Sequence, residues 1–600
     1  MSALRVRLVG ALALLGLLVV LARLVHLQLV EGTAYALQAA ARIRRIELIE
    51  APRGRILDRH GRVLAEDVPA FELWADPSRA GRILEDRQGA ERLGRLLSEA
   101  GFPDALGSLA AQVRRWQARN RGRRRPAEGE PRRWLTGLPD SAVYWLACRQ
   151  DEYPGLSIER RQARRYPQGS LAAHLVGFLG AFDGKDLARL QEEGRDLGQL
   201  IARYGRAAVL LDEAFREEGY FADADVGRRG IEQSAEAELR GRPGVRVVSV
   251  DVVQGRRREE SLIEPARAGR DVHLTIDLAL QRAAEEALDF RRGAVVAMDP
   301  ATGEVLALAS RPGFDPNTLR GDYGRLLKDP GKPLINRAIR GQYPAGSIFK
   351  LVTASAALEA GLDPRGEITC DGALYEGATR YGCDGVHGNI DFLRAMEVSC
   401  NVFFFHAGRR VGSRRRAAQA RALGFGAPTG LSLGGEELGG AVPAGDPLNL
   451  AVGQGRLLVT PIQAACMVAT LANGGRPVRA VLRPERIPAD APSSIPVPPV
   501  VGPEALAEIR EGMRRVVLSG TGSHAGLAAF QVLGKTGTAQ VGKSDEGGPS
   551  PHAWFVCYGP DAAPSLAVAV LVEHGGAGGE VAAPIAAALF RARAAGAAAS

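Results

Sequence analysis

Residues 8–30 are almost entirely apolar, and Arg5 and Arg7 precede them. A helix over this stretch spans roughly 35 Å at about 1.5 Å per residue, enough to cross the hydrocarbon core of a bilayer. Its one charged residue, Arg23, can extend its guanidinium towards the membrane surface. We therefore expect an uncleaved transmembrane anchor at 8–30, with residues 1–7 in the cytoplasm because of their arginines.

A cleaved signal peptide is the alternative, since the uncharged part is short and Ala36-Leu-Gln-Ala-Ala40 resembles a small-residue cleavage site. In both cases the rest of the chain is exported. No second apolar run of spanning length follows in the sequence. Residues 31–600 are therefore expected to form a water-soluble module outside the cytoplasmic membrane.

The 600 residues exceed what one hydrophobic core usually supports, so we expect at least two domains, 31–265 and 266–600. Much of the net charge of +9 comes from the arginine-rich stretch 114–133. No aromatic platform or recognition helix accompanies this stretch, which favours a solvated loop over a nucleic-acid site.

The second half of the sequence predicts a sheet with helices. Asp277 is a candidate N-cap for a helix over 278–288, and residues 293–310 read as a β-hairpin. Residues 553–558 and 566–572 read as buried strands. The sequence between hairpin and strands is mostly helical with glycine breaks. We therefore expect an α+β domain: an antiparallel sheet with helices on one face and a helical subdomain.

Lysine is rare in this chain, with six lysines among the 77 Lys and Arg residues. Guanidinium stays charged in proteins, whereas a buried ammonium can become neutral. Each lysine therefore raises the question of whether a deprotonated amine is needed there. Lys350 and Lys535 both lie in motifs that carry further chemistry.

Ser347-Ile-Phe-Lys350 follows Tyr343-Pro-Ala-Gly346 and opens an apolar run that Gly361 closes. This pattern predicts a helix with Ser347 in its first turn, and Lys350 beside it because residues three apart share a helix face. A lysine desolvated by apolar neighbours would be the base that makes the serine nucleophilic. A chance Ser-x-x-Lys match is the competing explanation.

Two further motifs make chance matches less probable. Ser399-Cys-Asn401 offers a second hydroxyl and an amide. Lys535-Thr-Gly-Thr538 follows residues 530–533, which read as a strand. Gly537 would let a substrate backbone lie close to that strand, with Lys535 and Thr536 or Thr538 facing a carboxylate.

The ordered Ser-x-x-Lys, Ser-x-Asn and Lys-Thr-Gly motifs resemble those of penicillin-binding proteins and class A β-lactamases. The wider chain is similar to class B penicillin-binding proteins, in particular the elongation branch of penicillin-binding protein 2. The segments that carry this likeness lie in both halves of the chain: Arg53–Arg59, Gly61–Ala65, Gly230–Glu232, Leu239–Gly241, Gly453–Gly455, Thr460–Gln463 and His552–Phe555. The resemblance implies that 31–265 is a non-catalytic, dimerisation-like pedestal and 266–600 the transpeptidase domain.

The resemblance also implies roles for individual residues. Ser347 would be the acylated nucleophile and Lys350 its base. Ser399 would relay a proton to or from the amine, and Asn401 would hold the substrate amide. Lys535 and Thr536 would lie near the carboxylate of the donor or antibiotic. The backbone N–H groups of Ser347 and Thr538 would form the oxyanion hole.

The function implied is a serine D,D-transpeptidase that takes a D-alanyl-D-alanine stem peptide, releases D-alanine and joins the acyl group to a neighbouring peptide. It implies inhibition by β-lactams, a role in elongation and cell shape at the bacterial cytoplasmic membrane, and a membrane glycosyltransferase partner. A hydrolase on the same fold is the first rival, although no E-x-x-L-N run of a deacylating loop is present. A non-catalytic scaffold or drug sensor is the second.

Four residues are spaced as a metal site: Cys370, Cys383, His387 and Cys400. Three thiolates and one imidazole are a common structural zinc set, and some relatives in the penicillin-binding protein 2 branch hold zinc in this region, partly with Asp. We expect structural Zn²⁺ here, with Asp384 as a substitute ligand; the acyl-transfer chemistry itself requires no cofactor. A Cys370–Cys383 disulfide or inert buried thiols are the alternatives. The other cysteines, Cys148, Cys466 and Cys557, are expected in the core.

Overall fold

The computed structural model describes residues 3–26, 44–121, 132–181, 225–250, 257–431, 433, 437–443, 447–484, 498–541 and 549–599. The chain divides into two compact units. The first comprises residues 1–53, 182–224 and 240–269, and the second comprises 54–181, 225–239 and 270–600.

The strands of the described residues are, in chain order, β1 Arg44–Ile49, β2 Ile56–Leu57, β3 Val63–Ala75, β4 Arg132–Leu138, β5 Leu156–Arg165, β6 Phe178–Ala181, β7 Asp225–Arg229, β8 Gly244–Val250, β9 Arg257–Glu264, β10 Val272–His273, β11 Gly293–Met298, β12 Val305–Arg311, β13 Ile368–Cys370, β14 Ala373–Glu376, β15 Thr379–Gly382, β16 Gly388–Ile390, β17 Leu533–Ala539, β18 His552–Gly559 and β19 Leu566–Val572.

The α-helices of the same residues are α1 Ala3–Val25, α2 Pro77–Glu85, α3 Arg87–Glu99, α4 Ala105–Asn120, α5 Asp140–Ala147, α6 Ala173–Val176, α7 Gly230–Ser234, α8 Glu236–Leu239, α9 Leu278–Leu288, α10 Leu319–Lys328, α11 Arg337–Arg340, α12 Lys350–Glu359, α13 Phe392–Glu397, α14 Asn401–Val411, α15 Ser413–Ala422, α16 Pro447–Ala451, α17 Pro461–Ala472, α18 Pro503–Leu518 and α19 Gly578–Ala599.

The first unit contains α1 and a three-stranded antiparallel sheet in the order β1–β8–β9. Among the described residues, no helix has both the length and the apolar character that crossing a bilayer requires. The anchor expected at 8–30 is therefore not confirmed, and its residues 27–30 lie outside the described residues, as do the cleavage-site residues 36–40. Part of the arginine-rich stretch, 122–131, also lies outside them.

The N-terminal part of the second unit is built on β3, which pairs with β2, β4 and β5. Helices α2–α4 cover this sheet with a small apolar core that includes Leu73, Ile83 and Leu109. α2 begins where it does because the Asp76 side chain accepts a hydrogen bond from the Ser78 N–H and Pro77 occupies the first helical position.

A five-stranded antiparallel sheet forms the centre of the C-terminal part, in the order β12–β11–β19–β18–β17. The predicted hairpin is β11–β12 and the two predicted buried strands are β18 and β19. The predicted cap is also present, since the Asp277 side chain accepts from the Ala279 N–H at the start of α9. These parts of the sequence prediction are confirmed.

The expectation that helices cover one face of this sheet is wrong, because both faces are covered. Phe555 and Val570 point into a core shared with α9 and α19, while Trp554 and Ala569 belong to the core that includes α12 and α17. Every residue of β18 and β19 is buried, as strands between two helical layers require. The domain is therefore a three-layer α+β structure.

Candidate active site

Ser347 lies in a single 3₁₀ turn, Gly346–Phe349, which leads directly into α12; we call this turn the serine turn. The sequence predicted Ser347 in the first turn of the helix itself. Ile348 and Phe349 are fully buried and hold the turn against the core, while Ser347 is half-buried. Ser347 is thus partly exposed on a turn whose neighbouring side chains are buried.

Gly346 has a positive φ of 55°, which glycine adopts without steric cost. A Cβ at this position would lie 2.7 Å from the carbonyl oxygen of Thr538. The serine turn and β17 are therefore close enough that a side chain at position 346 would separate them.

Lys350 is completely buried at the start of α12. Its Nζ donates to the Ser399 carbonyl at 2.6 Å, to the Ser399 hydroxyl at 3.1 Å and to Asn401 Oδ1 at 2.6 Å. Within the part of the chain that the structure describes, none of its hydrogen bonds goes to Ser347. The Lys350 amine is one helical turn from Ser347, as predicted, but its hydrogen bonds go to Ser399 and Asn401.

Burial lowers the pKa of Lys350 to about 8. The nearby Asp384, Cys383 and Cys400 oppose this shift, since negative charge favours the ammonium form. The Phe404 ring lies 5.5 Å from Nζ. The neutral fraction of this amine is therefore about a tenth at pH 7 and about a half at pH 8.

The Ser399 hydroxyl lies between two amines. It accepts from Lys350 at 3.1 Å and from Lys535 at 2.8 Å. Ser399 has a φ of 57°, a left-handed conformation that is uncommon for a residue with a side chain and is found preferentially at functional sites. The backbone is thus held in a costly conformation that aims this hydroxyl at both lysines.

Asn401 begins α14 with both ends of its amide engaged. Oδ1 accepts from Lys350 and Nδ2 donates to the Gly382 carbonyl at 3.2 Å. The backbone N–H of Asn401 donates to Cys383 Sγ at 3.2 Å. Its side-chain orientation is therefore fixed by the lysine on one side and by the end of β15 on the other.

The Lys535–Thr538 motif lies inside β17, the edge strand of the five-stranded sheet. The strand predicted at 530–533 is misplaced: Leu527–Phe530 is a 3₁₀ turn and Gln531 is left-handed, so extended pairing begins only at Leu533. As a result, the whole motif belongs to the strand rather than following it.

Lys535 is completely buried, and burial together with the charge of Lys350 lowers its pKa well below the usual value. Besides Ser399, its Nζ donates to the Thr536 carbonyl at 3.2 Å. The Thr536 and Thr521 hydroxyls are hydrogen-bonded at 2.5 Å. A Cβ on Gly537 would lie 3.0 Å from Ile348 Cγ2, so glycine permits close approach to the serine turn, and Thr538 is exposed.

Some supporting residues were not predicted from sequence as parts of the site. The Gly346 N–H donates to the Gly453 carbonyl at 2.8 Å, and Gln454 Nε2 contacts the Thr538 carbonyl at 3.5 Å. Gly453–Gly455 is one of the segments that carry the family resemblance, but the resemblance assigned no role to it. Thr521, which contacts Thr536, lies in no motif, so the sequence contained no signal for it.

The four predicted metal ligands form one cluster in which all ligand atoms lie within 4.8 Å of one another. The distances are 3.4 Å from Cys370 Sγ to His387 Nδ1, 3.6 Å from Cys383 Sγ to the same nitrogen, and 3.8 Å from Cys383 Sγ to Cys400 Sγ. Ligands about 2.3 Å from a tetrahedral centre are about 3.8 Å apart, so the donor set and spacing fit zinc.

All six cysteines of the chain are free, so no Cys370–Cys383 disulfide is present. Cys466 and Cys557 are buried as predicted. The prediction for Cys148 is wrong, because this residue is exposed at the C-cap of α5, beyond Leu146, the last residue of the helix that is buried in the small apolar core.

Two family models together match most of the chain. Residues 293–591 match the penicillin-binding protein transpeptidase domain, and residues 48–274 match the penicillin-binding protein dimerisation domain. The chain is 31% identical to the peptidoglycan D,D-transpeptidase MrdA of Haemophilus influenzae, over 96% of this chain and 89% of that protein. It belongs to the class B penicillin-binding proteins.

Solved structures of other penicillin-binding proteins share this architecture. Penicillin-binding protein 2 of Helicobacter pylori, in a complex with MreC, has a TM-score of 0.71 at 22% identity, covering 91% of this chain and 98% of that one. A chain of a peptidoglycan synthase complex that coordinates polymerization and crosslinking has a TM-score of 0.66 at 30% identity, covering 98% of both. The predicted penicillin-binding fold with its dimerisation pedestal is confirmed.

The pKa of Lys350 predicts how acylation by penicillin depends on pH. If the neutral amine is the reactive form, the acylation rate constant rises about tenfold per pH unit below pH 8 and levels off above it, because that is how the neutral fraction changes. Stopped-flow labelling with a fluorescent penicillin between pH 6 and 9.5 measures this. Lys350→Arg, which cannot deprotonate, should show no such rise; a flat wild-type profile would contradict the assignment.

Proposed function

We propose that this penicillin-binding protein cross-links peptidoglycan stem peptides by acyl transfer through Ser347. The Ser347 hydroxyl attacks the carbonyl of the penultimate D-alanine of the donor, the bond to the terminal D-alanine breaks, and D-alanine leaves with a proton. An amine of a neighbouring peptide then attacks the ester, which restores the serine. The observation that carries this proposal is the pair of buried amines, Lys350 and Lys535, that meet at Ser399 beside the serine turn.

Lys350 is the proposed base for Ser347, and its lowered pKa supports this role. Ser399 is the proposed relay, since its hydroxyl contacts both amines and can pass a proton to the leaving or from the incoming nitrogen. Asn401 holds the substrate amide. Its attachment to Gly382 supports a fixed orientation.

The edge of β17 is the proposed binding surface for the donor backbone. An edge strand presents backbone groups that an extended peptide can pair with. Lys535 and Thr536 face the donor carboxylate, and the N–H groups of Ser347 and Thr538 form the oxyanion hole. The short distance between Gly346 and Thr538 supports this pairing of donors.

Labelling with a fluorescent penicillin tests the nucleophile. The wild-type chain should form a covalent adduct that mass spectrometry locates on Ser347, and Ser347→Ala should form none, a loss of at least 10³-fold in labelling rate. Ser355→Ala, a buried serine two turns along α12, is the matched control and should label normally. An adduct on any other residue would overturn the proposal, and rapid release of the hydrolysed drug would favour a hydrolase.

The Cys370, Cys383, His387 and Cys400 cluster is proposed to hold one structural Zn²⁺. When bound, the ion would supply cross-linking of β13, the β15 end and the residue before α14, and it takes no part in acyl transfer. Cys400 stands between Ser399 and Asn401, and Cys383 accepts from the Asn401 N–H. Zinc would therefore stabilise the side of the site that carries Ser399 and Asn401.

Metal analysis of the purified full chain tests the zinc site. We expect about one zinc per chain in the wild type and a loss of most of it in Cys383→Ser, because the tetrahedral set then lacks one thiolate. Cys148→Ser changes an exposed cysteine outside the cluster and should keep its zinc. Wild-type protein with far less than one zinc per chain would rule the site out.

Residues 8–30 are proposed as the membrane anchor, with 1–7 in the cytoplasm, 31–265 as pedestal and 266–600 as transpeptidase domain outside the cytoplasmic membrane. A continuous helix over Ala3–Val25, which covers most of this stretch, supports the anchor. A role in elongation and cell shape, with a membrane glycosyltransferase as partner, is proposed from the likeness to the complex that coordinates polymerization and crosslinking.

Membrane fractionation tests the anchor and the partner together. The tagged full chain should remain with membranes after an alkaline carbonate wash and should copurify with a glycan polymerase after detergent extraction, since a single uncleaved helix resists this wash. Replacing Leu14 and Leu18 by aspartate should release the chain. Recovery of wild-type protein in the soluble fraction would contradict the anchor, and a purified chain without polymerase activity would contradict the partner.

A further inference from the structure

A second cluster of charged and aromatic side chains lies at the end of β19, behind the serine turn. Glu573 directly follows β19, and its side chain is only 15% exposed. Its Oε1 accepts from the Tyr343 hydroxyl at 2.8 Å and from Arg337 Nε at 2.8 Å, and its Oε2 lies 3.5 Å from Arg292 Nε. None of these residues has a role in the acyl transfer described above.

We propose that Glu573 is a positioning residue, which holds the serine turn in its reactive place through the Tyr343 hydroxyl. The inference rests on the proposed role of Ser347 as nucleophile. Tyr343 is four residues before Ser347, and the intervening Pro344 limits the freedom of the chain between them. A displacement of Tyr343 is therefore transmitted to the serine turn.

Glu573 holds the hydroxyl end of the Tyr343 ring, and other contacts hold the rest of this segment. Tyr343 pairs through its backbone with Val459, and Trp554 Nε1 donates to the Pro344 carbonyl at 3.0 Å. The Tyr343 ring packs edge-on against His552 and Trp554, with centroids 5.3 and 6.3 Å away. These contacts hold the backbone and the ring of Tyr343, and the Glu573 carboxylate holds the hydroxyl of that ring.

Glu573 is ionised in this position. Burial alone would raise its pKa, but the charge of Arg337 and the hydrogen bonds from Tyr343 and Arg337 lower it. Burial raises the pKa of Tyr343 far above its usual value, so the phenol stays protonated and donates. Hydrogen bonds to a charged acceptor are roughly twice as strong as neutral ones, which suits a tether for a reacting group.

The test compares three variants of the full chain: Tyr343→Phe, Glu573→Gln and the double variant. Rapid-mixing kinetics with a fluorescent penicillin separate the dissociation constant of the non-covalent complex from the acylation rate constant. We expect each single variant to lower the acylation rate constant about tenfold, with the dissociation constant unchanged within twofold, because the nucleophile is displaced while the binding surface on β17 is intact.

The double variant should also be about tenfold slower than the wild type rather than about a hundredfold, since both substitutions act on the same hydrogen bond: Tyr343→Phe removes its donor and Glu573→Gln removes the charge of its acceptor. Asp561→Asn is the control: this carboxylate is similarly paired with Arg510 and Arg514, but it lies beyond the opposite end of β18. It should acylate normally. Melting temperatures measured for all variants identify any that fail to fold, and Tyr343→Phe keeps the packed ring.

Wild-type acylation by Tyr343→Phe, or a multiplicative loss in the double variant, would overturn the inference. A loss that appears only in the dissociation constant would also overturn it, because positioning of the serine predicts an effect on the chemical step. Ser347→Ala keeps the two proposals apart. If it still forms the adduct, the proposed function fails; if it forms none while Tyr343→Phe is unaffected, only the role of Glu573 fails.

Discussion

The fold buries two lysine amines against one serine hydroxyl, and the proposed chemistry depends on this contact. Both Nζ atoms contact Ser399 Oγ, so they are at most about 6 Å apart. Two ammonium ions at that distance repel by roughly 3 kcal/mol at an effective dielectric constant of 20, in addition to the desolvation of each. This repulsion favours a state in which one of the two amines is neutral. Burial and the charge of Lys350 lower the pKa of Lys535 well below its usual value, whereas burial lowers the pKa of Lys350 to about 8. Lys535 is therefore the amine that loses its proton first, and Lys350, the proposed base, becomes neutral as the pH rises through about 8.

This arrangement requires three distant segments to meet, and the sheet and helix layers bring them together. Residues 347–350 lead into α12, 399–401 lead into α14, and 535–538 lie in β17. Glycines allow these segments to approach closely. A Cβ on Gly346, Gly453 or Gly537 would lie within 3 Å of a neighbouring segment. The strained φ of Ser399 has the same origin, because the turn before α14 must present a carbonyl and a hydroxyl to the same amine.

The sequence was sufficient to predict the elements whose signal lies within a few neighbouring residues. The strands 553–558 and 566–572, the Asp277 cap and the one-turn spacing of Ser347 and Lys350 follow from short-range pattern and chain geometry. The covering of both sheet faces was missed although a signal existed: every residue of Leu566–Val572 is apolar, which is typical of a strand buried on both sides. The start of β17 could not be predicted from the sequence, because Gln531 adopts a left-handed conformation that its residue type does not indicate. The bonding of Lys350 to Ser399 is a tertiary contact between segments 49 residues apart, and periodicity cannot predict it.

The cysteine cluster and the Ser399–Asn401 motif are physically one structure, joined by the chain and by hydrogen bonds. Cys400 is covalently continuous with Ser399 and Asn401, Cys383 accepts the Asn401 N–H, and Gly382 accepts the Asn401 amide. The left-handed turn at Ser399 is therefore held on one side by the lysines and on the other by the thiols. If the thiol side were free to move, the Asn401 amide would lose its fixed orientation, and the favourable contacts that Lys350 makes when protonated would weaken. The protonation state of the proposed base is thus coupled to the cysteine cluster through Ser399 and Asn401.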